Sequence, residues 1–417
     1  MASKKTVIIG GGVIGICSAY YLNKKGFEVT VLDQNDFQDS ASFGNAGMVV
    51  PSHFIPMAAP GMIALGMKWM FNPESPFHIK PRLNKELFSW GWKFYKAATP
   101  HRVKQAIPVL KDLNLTSKKL FEEIATDESL DFAFQKKGLM MYCKTEAALH
   151  EEKELATEAN KIGIKAEVLG KEEAQSIDSG LELDIHGAIY FPMDAFLTPH
   201  LFLNGLKEKL EQKGVTFLAN TQVTGFETNG QKITTAQTSA GAIEADEFVI
   251  ASGSWSSSML KGLNISMPLM AGKGYSFVIP EPKAKPEICS ILTEARVAVT
   301  PMAHGLRIAG TMELAGIDLS INKRRLEGIY KSIPKYFPQF SADDFRDIEV
   351  WSGLRPCSPD GIPYIGRFQK YPNLIAATGH SMMGLSLGPV TGKIVAQLVA
   401  NEKQDVESKL LAVDRYN

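Results

Sequence analysis

The first thirty-three residues alternate apolar blocks and polar punctuation in an order that predicts strand, turn, helix and strand. Val7-Ile8-Ile9 is a continuous apolar run, as in a strand buried on both faces, and it feeds straight into Gly10-Gly11-Gly12-Val13-Ile14-Gly15. A helix follows through Ala19, Leu22 and Asn23 and stops at Gly26, and a second strand, Phe27 to Leu32, ends in Asp33. Each glycine of the Gly10-x-Gly12-x-x-Gly15 spacing has a task. Gly10 permits the tight turn, Gly12 leaves room for a pyrophosphate, and Gly15 lets the helix pack closely on the sheet. The helix N-terminus offers free N–H groups to phosphates, and a carboxylate at Asp33 can accept the ribose hydroxyls of an adenosine. The unit predicts a bound adenine dinucleotide.

Further along, helical periodicity covers Leu83–Ala97 and Val103–Thr126, with Pro108 as a point of interruption in the second. A strand from Gly138 to Lys144 and a charged helix from Thr145 to Lys161 follow, and none of these continues a doubly wound sheet. The nucleotide-binding style resumes at Thr198 with a helix from Pro199 to Lys213, then strands at 215–218, 222–227, 232–238 and 245–251. Beyond Trp255, strands 274–279 and 306–311 alternate apolar and polar residues as in a half-exposed antiparallel sheet, and a helix covers Lys323–Ser332. The predicted fold is therefore mixed α/β, of α+β character. A Rossmann-like dinucleotide domain in three pieces (1–80, 195–262 and 346–417) interleaves with an antiparallel-sheet substrate domain (81–194 and 263–345).

One segment, Phe54 to Phe71, is apolar throughout except for Lys68, but Pro56, Pro60 and Gly61 break its first half and leave too short a helix to cross a bilayer. Two readings stand: a helix at the mouth of a substrate cavity, or shallow insertion into a membrane surface by its Met and Trp residues beside Lys68.

Composition narrows the function classes. In 417 residues, 45 basic side chains balance 45 acidic ones, so no net field favours nucleic acid. Cys17, Cys143, Cys289 and Cys357 form no CxxC pair, and no cluster has metal-ligand spacing. The dinucleotide strand begins almost at Met1 with no room for a signal peptide, so a cytoplasmic location is expected.

Three later stretches carry chemistry. Phe248 to Trp255 is a buried strand ending in the small residues Ala251, Ser252 and Gly253, which permit close approach of a ligand. In Trp351 to Gly361, Arg355 sits among apolar and rigid neighbours, where an unpaired guanidinium is costly; it calls for an anion, a ligand or an internal carboxylate. In Leu374 to Gly384, a strand runs into a glycine-flanked loop before a helix marked by Pro389, and its backbone N–H groups can meet negative charge on a reduced cofactor.

These residues carry a resemblance. The Gly10-x-Gly12-x-x-Gly15 unit with Asp33, the Asn45-Ala46-Gly47 loop, Ala59-Pro60-Gly61, Gly272-Lys273-Gly274-Tyr275-Ser276, Gly353-Leu354-Arg355-Pro356 and Gly379-His380 together resemble the FAD-dependent D-amino acid dehydrogenase branch of the D-amino acid oxidase and glycine oxidase superfamily. The resemblance spans nearly the whole chain. It implies a flavin domain and a substrate domain whose sheet covers the flavin ring. It also implies cofactor contacts from Gly10, Gly12, Val13, Ile14, Gly15, Asp33 and Gln34, and from Ser42, Asn45, Ala46, Gly47 and Met48. Further contacts are implied from Val223, Ala251, Ser252, Gly253, Trp255, Gly353 and Arg355, and from Gly379, His380, Met382, Met383 and Gly384.

Arg355, by the same resemblance, holds the substrate carboxylate; should it not, Arg307 is the next candidate. Tyr275 reaches the carboxylate or roofs the pocket, and His53 and His380 adjoin the substrate. The cysteine through which sarcosine-oxidase-like relatives attach FAD would fall at Gly353, and Cys357 is displaced from that place, so non-covalent FAD is expected. Hydride transfer from the neutral-amine form of an amino acid needs no strong general base, and neither histidine is assigned as one. Three functions remain open: a D-amino acid dehydrogenase passing electrons to a quinone or other carrier, with peripheral contact to the inner face of a membrane; an oxidase of glycine, sarcosine or a cyclic imino acid such as D-proline using oxygen; or a flavin-containing subunit without turnover.

Overall fold

The computed structural model describes residues 4–70, 72, 74–80 and 82–416; Phe71, the end of the apolar segment, lies outside the described residues. Strand β1 (Lys5–Ile9), helix α1 (Val13–Lys24) and strand β2 (Glu28–Leu32) form as the apolar pattern requires. Gly26 adopts φ +81°, and Phe27 N–H returns to Leu22 O at 3.1 Å, which closes the helix C-terminus. Among the described residues a six-stranded sheet runs in the order Tyr364–Arg367, Leu374–Thr378, Glu247–Ile250, β1, β2, Thr216–Leu218. Its pairings are parallel except that of Tyr364–Arg367 with Leu374–Thr378.

Helix Gly388–Ala400 packs on α1 so closely that a Cβ at Gly392 would stand 2.4 Å from the Cys17 backbone, so only glycine fits that crossing. Helix α4 (Pro100–Asp127) lies against the same apolar cluster and continues through Pro108. The proline is exposed, so the Lys104 carbonyl left without an N–H donor can turn to water and the expected interruption does not occur.

The second sheet crosses the interleaved chain segments. It runs Trp351–Cys357, Met270–Ile279, Gly305–Leu314, Val297–Met302, Cys289–Leu292, Leu139–Cys143, Gly187–Phe191, Glu167–Gly170, with Phe77–Ile79 also paired to Gly305–Leu314. Two segments grouped by sequence with the dinucleotide domain thus belong to this sheet. Trp351–Cys357 pairs antiparallel with Met270–Ile279, opposing Arg355 to Gly272 and Gly353 to Gly274, and Phe77–Ile79 adds a parallel edge. Both are short strands whose pairing partners lie far away in sequence, beyond the reach of local periodicity.

Helix α2 (Met62–Met70) buries none of its residues, and helix α3 (Lys85–Ala97) is anchored by Trp90, whose indole N–H donates to Cys357 O at 2.9 Å. Among the described residues no helix is long and apolar enough to cross a membrane.

Candidate active site

One cavity of about 1480 Å³ extends from the β1–α1 turn to the second sheet, larger than the roughly 300–1,000 Å³ of ordinary small-molecule sites. At its first end Gly10, Gly12, Val13 and Ile14 meet Asp33 and Gln34. Gly10 has φ +114° and donates its N–H to Leu32 O at 2.8 Å, and a Cβ there would press within 2.5 Å of Ala251 O. Gly12 begins α1 with no cap of its own; the Ser42 hydroxyl takes the Val13 N–H, and the remaining first-turn N–H groups are left to a ligand. Gly15 does not border the cavity. Its absent Cβ would lie 1.9 Å from Gly10 O, so its task is the close helix–turn contact. The Asp33 carboxylate accepts from Gly11 N–H at 2.6 Å and Asn35 N–H at 2.9 Å, which fix its orientation and leave lone pairs for hydroxyl donors. Val223, Ala251, Ser252, Gly253 and Trp255 line the same region.

The middle wall comes from the segment after β2, where Ser42, Asn45, Ala46 and Met48 line the cavity. The Ser42 hydroxyl accepts from Val13 N–H at 3.0 Å. Gly47, expected at the cofactor, turns away: with φ +78° its N–H donates to Asn45 Oδ1 at 2.9 Å and its carbonyl accepts from Leu197 N–H at 2.7 Å. Arg307 is also committed elsewhere. Its Nη1 donates to Phe43 O at 2.6 Å and Asn45 O at 2.7 Å, and burial lowers its pKa to about 10. It staples this segment to the second sheet and does not line the cavity, so it is no reserve anchor for a substrate. The Trp351 ring lies between Gly44 and Gly353, where added Cβ atoms would stand 2.0 and 1.9 Å from it.

His380, Met382, Met383 and Gly384 complete the wall, whereas Gly379 (φ +81°) sits against the Tyr364 ring outside the lining. The His380 Nε2 is hydrogen-bonded to Thr391 Oγ1 at 3.0 Å, and burial holds its pKa down to about 3. Its imidazole is neutral and its Nε2 is tied to helix Gly388–Ala400, while the residue itself borders the cavity.

At the second sheet Arg355 and Tyr275 face the cavity. The Arg355 guanidinium lies over Gly274, where a Cβ would collide with Nη1 at 2.2 Å; a side chain at 274 and this arginine conformation are mutually exclusive. Nη1 donates to Thr311 O at 2.7 Å, and no ion pair to Arg355 forms among the described residues. Burial lowers its pKa, the mark of a cation short of compensation. The carboxylates lining the cavity, Asp33 and Asp39, belong to the dinucleotide end. Tyr275 offers its ring only. Its hydroxyl donates to Glu313 and accepts from Asn322 N–H at 2.9 Å, so the roofing reading fits and direct contact of the hydroxyl with a substrate carboxylate does not. Sequence reasoning missed Arg296, a second cavity-lining cation on a turn with φ +53°, and Trp351 and Gly274, whose tasks depend on cross-strand neighbours.

The family described as FAD dependent oxidoreductase matches residues 5–398. The chain belongs to that family. It is 35% identical over 423 residues to a D-amino acid dehydrogenase of Vibrio atlanticus (strain LGP32), covering 99% of this chain and 100% of the relative, and 32% identical to one of Bradyrhizobium diazoefficiens at 99% of both. Glycine oxidase from Geobacillus kaustophilus shares the fold at TM-score 0.80 and 21% identity over 100% of both chains. L-proline dehydrogenase from P. horikoshii does so at 0.75 and 20%, over 99% of this chain and 98% of its own.

FAD fits the residues present. The glycine cradle, the free N–H groups at the start of α1 and Asp33 suit its pyrophosphate and ribose, and the volume leaves space for a small second molecule. Cys357, the nearest cysteine in sequence to the family's attachment point, is fully buried, is pushed up to about 11 by burial and does not border the cavity. Acid precipitation is therefore expected to release yellow FAD into the supernatant; colour remaining with the washed pellet would contradict a non-covalent cofactor.

Proposed function

We propose that this FAD-dependent oxidoreductase dehydrogenates a D-amino acid, giving an imine that hydrolyses to a 2-oxo acid and ammonia, and passes the electrons to a quinone or other carrier. The single observation that carries the reading is Arg355, a desolvated guanidinium facing the cavity with one backbone carbonyl for a partner. A carboxylate arriving there replaces water with a bidentate, charge-assisted pair. Bound FAD supplies the hydride acceptor. The chain's own groups fix geometry: Arg355 holds the carboxylate, Gly274 makes room for it, and the Tyr275 ring closes the pocket, so the Cα–H is presented in one orientation. The names of the full-length relatives support D-amino acids as the class. Formation of 2-oxo acid from a D-amino acid with a dye acceptor and without hydrogen peroxide tests the reading; stoichiometric peroxide would favour the oxygen-using alternative.

A lipid-soluble acceptor calls for a membrane-facing surface, and we place it on α3. Phe88, Trp92 and Tyr95, at i, i+4 and i+7, are 65%, 58% and 59% exposed, with Lys85, Lys93 and Lys96 on the same helix. Met67 and Met70 of α2 line the cavity, so changes there would confound docking with substrate access, whereas Phe88 and Trp92 do not line it. Phe88→Glu/Trp92→Glu is expected to release the protein from anionic liposomes and slow reduction of a long-tailed quinone, with dye turnover unchanged. Each inserted side chain contributes at best roughly 1.5–3 kcal/mol, so attachment is reversible. No liposome binding by the wild type would place the protein's work away from membranes.

A further inference from the structure

Behind the cavity wall a buried carboxyl group is wired to a cavity-facing imidazole. Asp194, between strands Gly187–Phe191 and Ala195–Phe196, is fully buried. Its Oδ1 accepts from Ser52 N–H at 3.0 Å and its Oδ2 from the Ser52 hydroxyl at 2.5 Å. On its other side Ser52 Oγ stands 3.1 Å from His53 Nδ1. His53 borders the cavity, and its Nε2 has no protein partner among the described residues. The His53 main chain is fixed, its N–H donating to Val50 O at 3.0 Å and its carbonyl accepting from buried Asn114 at 3.5 Å, and the Ser52 hydroxyl holds the ring at Nδ1.

We propose that Asp194, Ser52 and His53 form a proton relay that deprotonates the ammonium group of an amino acid bound on Arg355. The proposal rests on the amino-acid reading of the site. An ionised carboxylate only accepts hydrogen bonds, so the Ser52 hydroxyl donates to Asp194, its lone pair accepts His53 Nδ1–H, and Nε2 is left with a bare lone pair toward the cavity. On transfer the substrate N–H bond breaks as Nε2–H forms. The Nδ1 proton passes to Ser52 Oγ and the Ser52 proton to Asp194 Oδ2. The net change is ammonium plus carboxylate to amine plus carboxylic acid, with no electron moved, and it yields the amine whose lone pair assists loss of the α-hydrogen.

A protonated Asp194 reverses the chain. The carboxyl donates to Ser52, Ser52 donates to Nδ1, and Nε2 already carries the hydrogen and cannot accept another.

The surroundings suit this switch. Burial lowers the His53 pKa to about 4, helped by Arg296 from the turn before Val297–Met302, so the ring rests neutral. Burial raises Asp194 to about 7 against its Ser52 hydrogen bonds and Lys118 of α4, and the neighbouring thiol of Cys289 is itself raised. The competent state is therefore populated above about pH 7.

Two readouts on the FAD-loaded protein test the relay. In anaerobic flavin reduction by D-alanine, the wild-type rate should fall roughly tenfold per pH unit below the Asp194 midpoint. His53→Gln should be slower by about 10²–10⁴-fold at neutral pH with substrate affinity nearly kept, and should recover as pH rises and free amine accumulates. Nitrogen NMR of the histidine rings, without substrate, should show His53 changing from the Nε2–H to the Nδ1–H tautomer as pH rises through that midpoint, and Asp194→Asn should abolish the change.

A His53→Gln profile superimposable on the wild type, or a His53 tautomer that does not change, overturns the relay. A wild-type flavin that no amino acid reduces, with the tautomer change intact, overturns instead the amino-acid reading and with it the relay's role as an amine base.

Discussion

Arg355→Ala is expected to lower kcat/KM for an amino acid by about 30- to 5,000-fold while FAD stays bound, because truncating one member of a buried, hydrogen-bonded charge pair costs roughly 2–5 kcal/mol. The guanidinium touches no element of the dinucleotide cradle; its one hydrogen bond goes to Thr311 O, so the loss falls on the substrate. Arg355→Lys should recover little, since an ammonium lacks the planar fork that meets a carboxylate bidentately. Gly274→Ala approaches the same result from the opposite strand, its methyl group occupying the place of the guanidinium. Steady-state kinetics with the dye acceptor read all three. Near-normal kinetics in Arg355→Ala would pass the anchor to Arg296, the other cation lining the cavity.

The second large effect is expected at Gly15. A side chain there starts 1.9 Å from Gly10 O, a backbone atom that cannot rotate away, so α1 must move off the turn that shapes the phosphate site. Overpacking of this kind costs about 1–3 kcal/mol, and the displaced helix start also withdraws its N–H groups from the pyrophosphate. Gly15→Val should purify largely colourless and melt lower than the wild type. Gly12→Ala provides the contrast. Its Cβ meets only Ser42 Oγ, at 3.3 Å, so the fold should persist while FAD binds more weakly. Absorbance of the purified proteins and thermal melts with and without added FAD distinguish them, and a fully flavinated, equally stable Gly15→Val would refute the packing argument.

The parts of the fold visible in the sequence are those whose cause is local. The β1–α1–β2 unit is written in contiguous apolar runs and glycine spacing, and the charged helix expected from Thr145 forms over Glu146–Lys161 with Thr145 as its N-cap. Trp351–Cys357 falls within the 346–417 piece that sequence groups with the dinucleotide domain, yet its hydrogen bonds run to Met270–Ile279, a partner that no local pattern specifies.

The same limit governs the site. Arg355 is legible in sequence from its apolar neighbours, whereas Glu313, Asn322 and two loop carbonyls, which hold Tyr275 and Arg307 in place, are brought to them only by the fold. In sequence His53 is a lone histidine. The carboxylate that gives it a chemical role comes 142 positions after Ser52 and reaches it only through the folded chain.

The claim that joins these observations is that an amino acid binds by its carboxylate on Arg355 and is oxidised at Cα by the bound flavin. Anaerobic titration of the FAD-loaded protein with matched D- and L-amino acids, followed by the visible flavin absorbance, measures it without any electron acceptor. The account predicts bleaching by D-amino acids, loss of that bleaching at the same concentrations in Arg355→Ala, and none by amino-acid amides, which lack the carboxylate. Bleaching by the amides as readily as by the acids, or no bleaching by any amino acid, would contradict it.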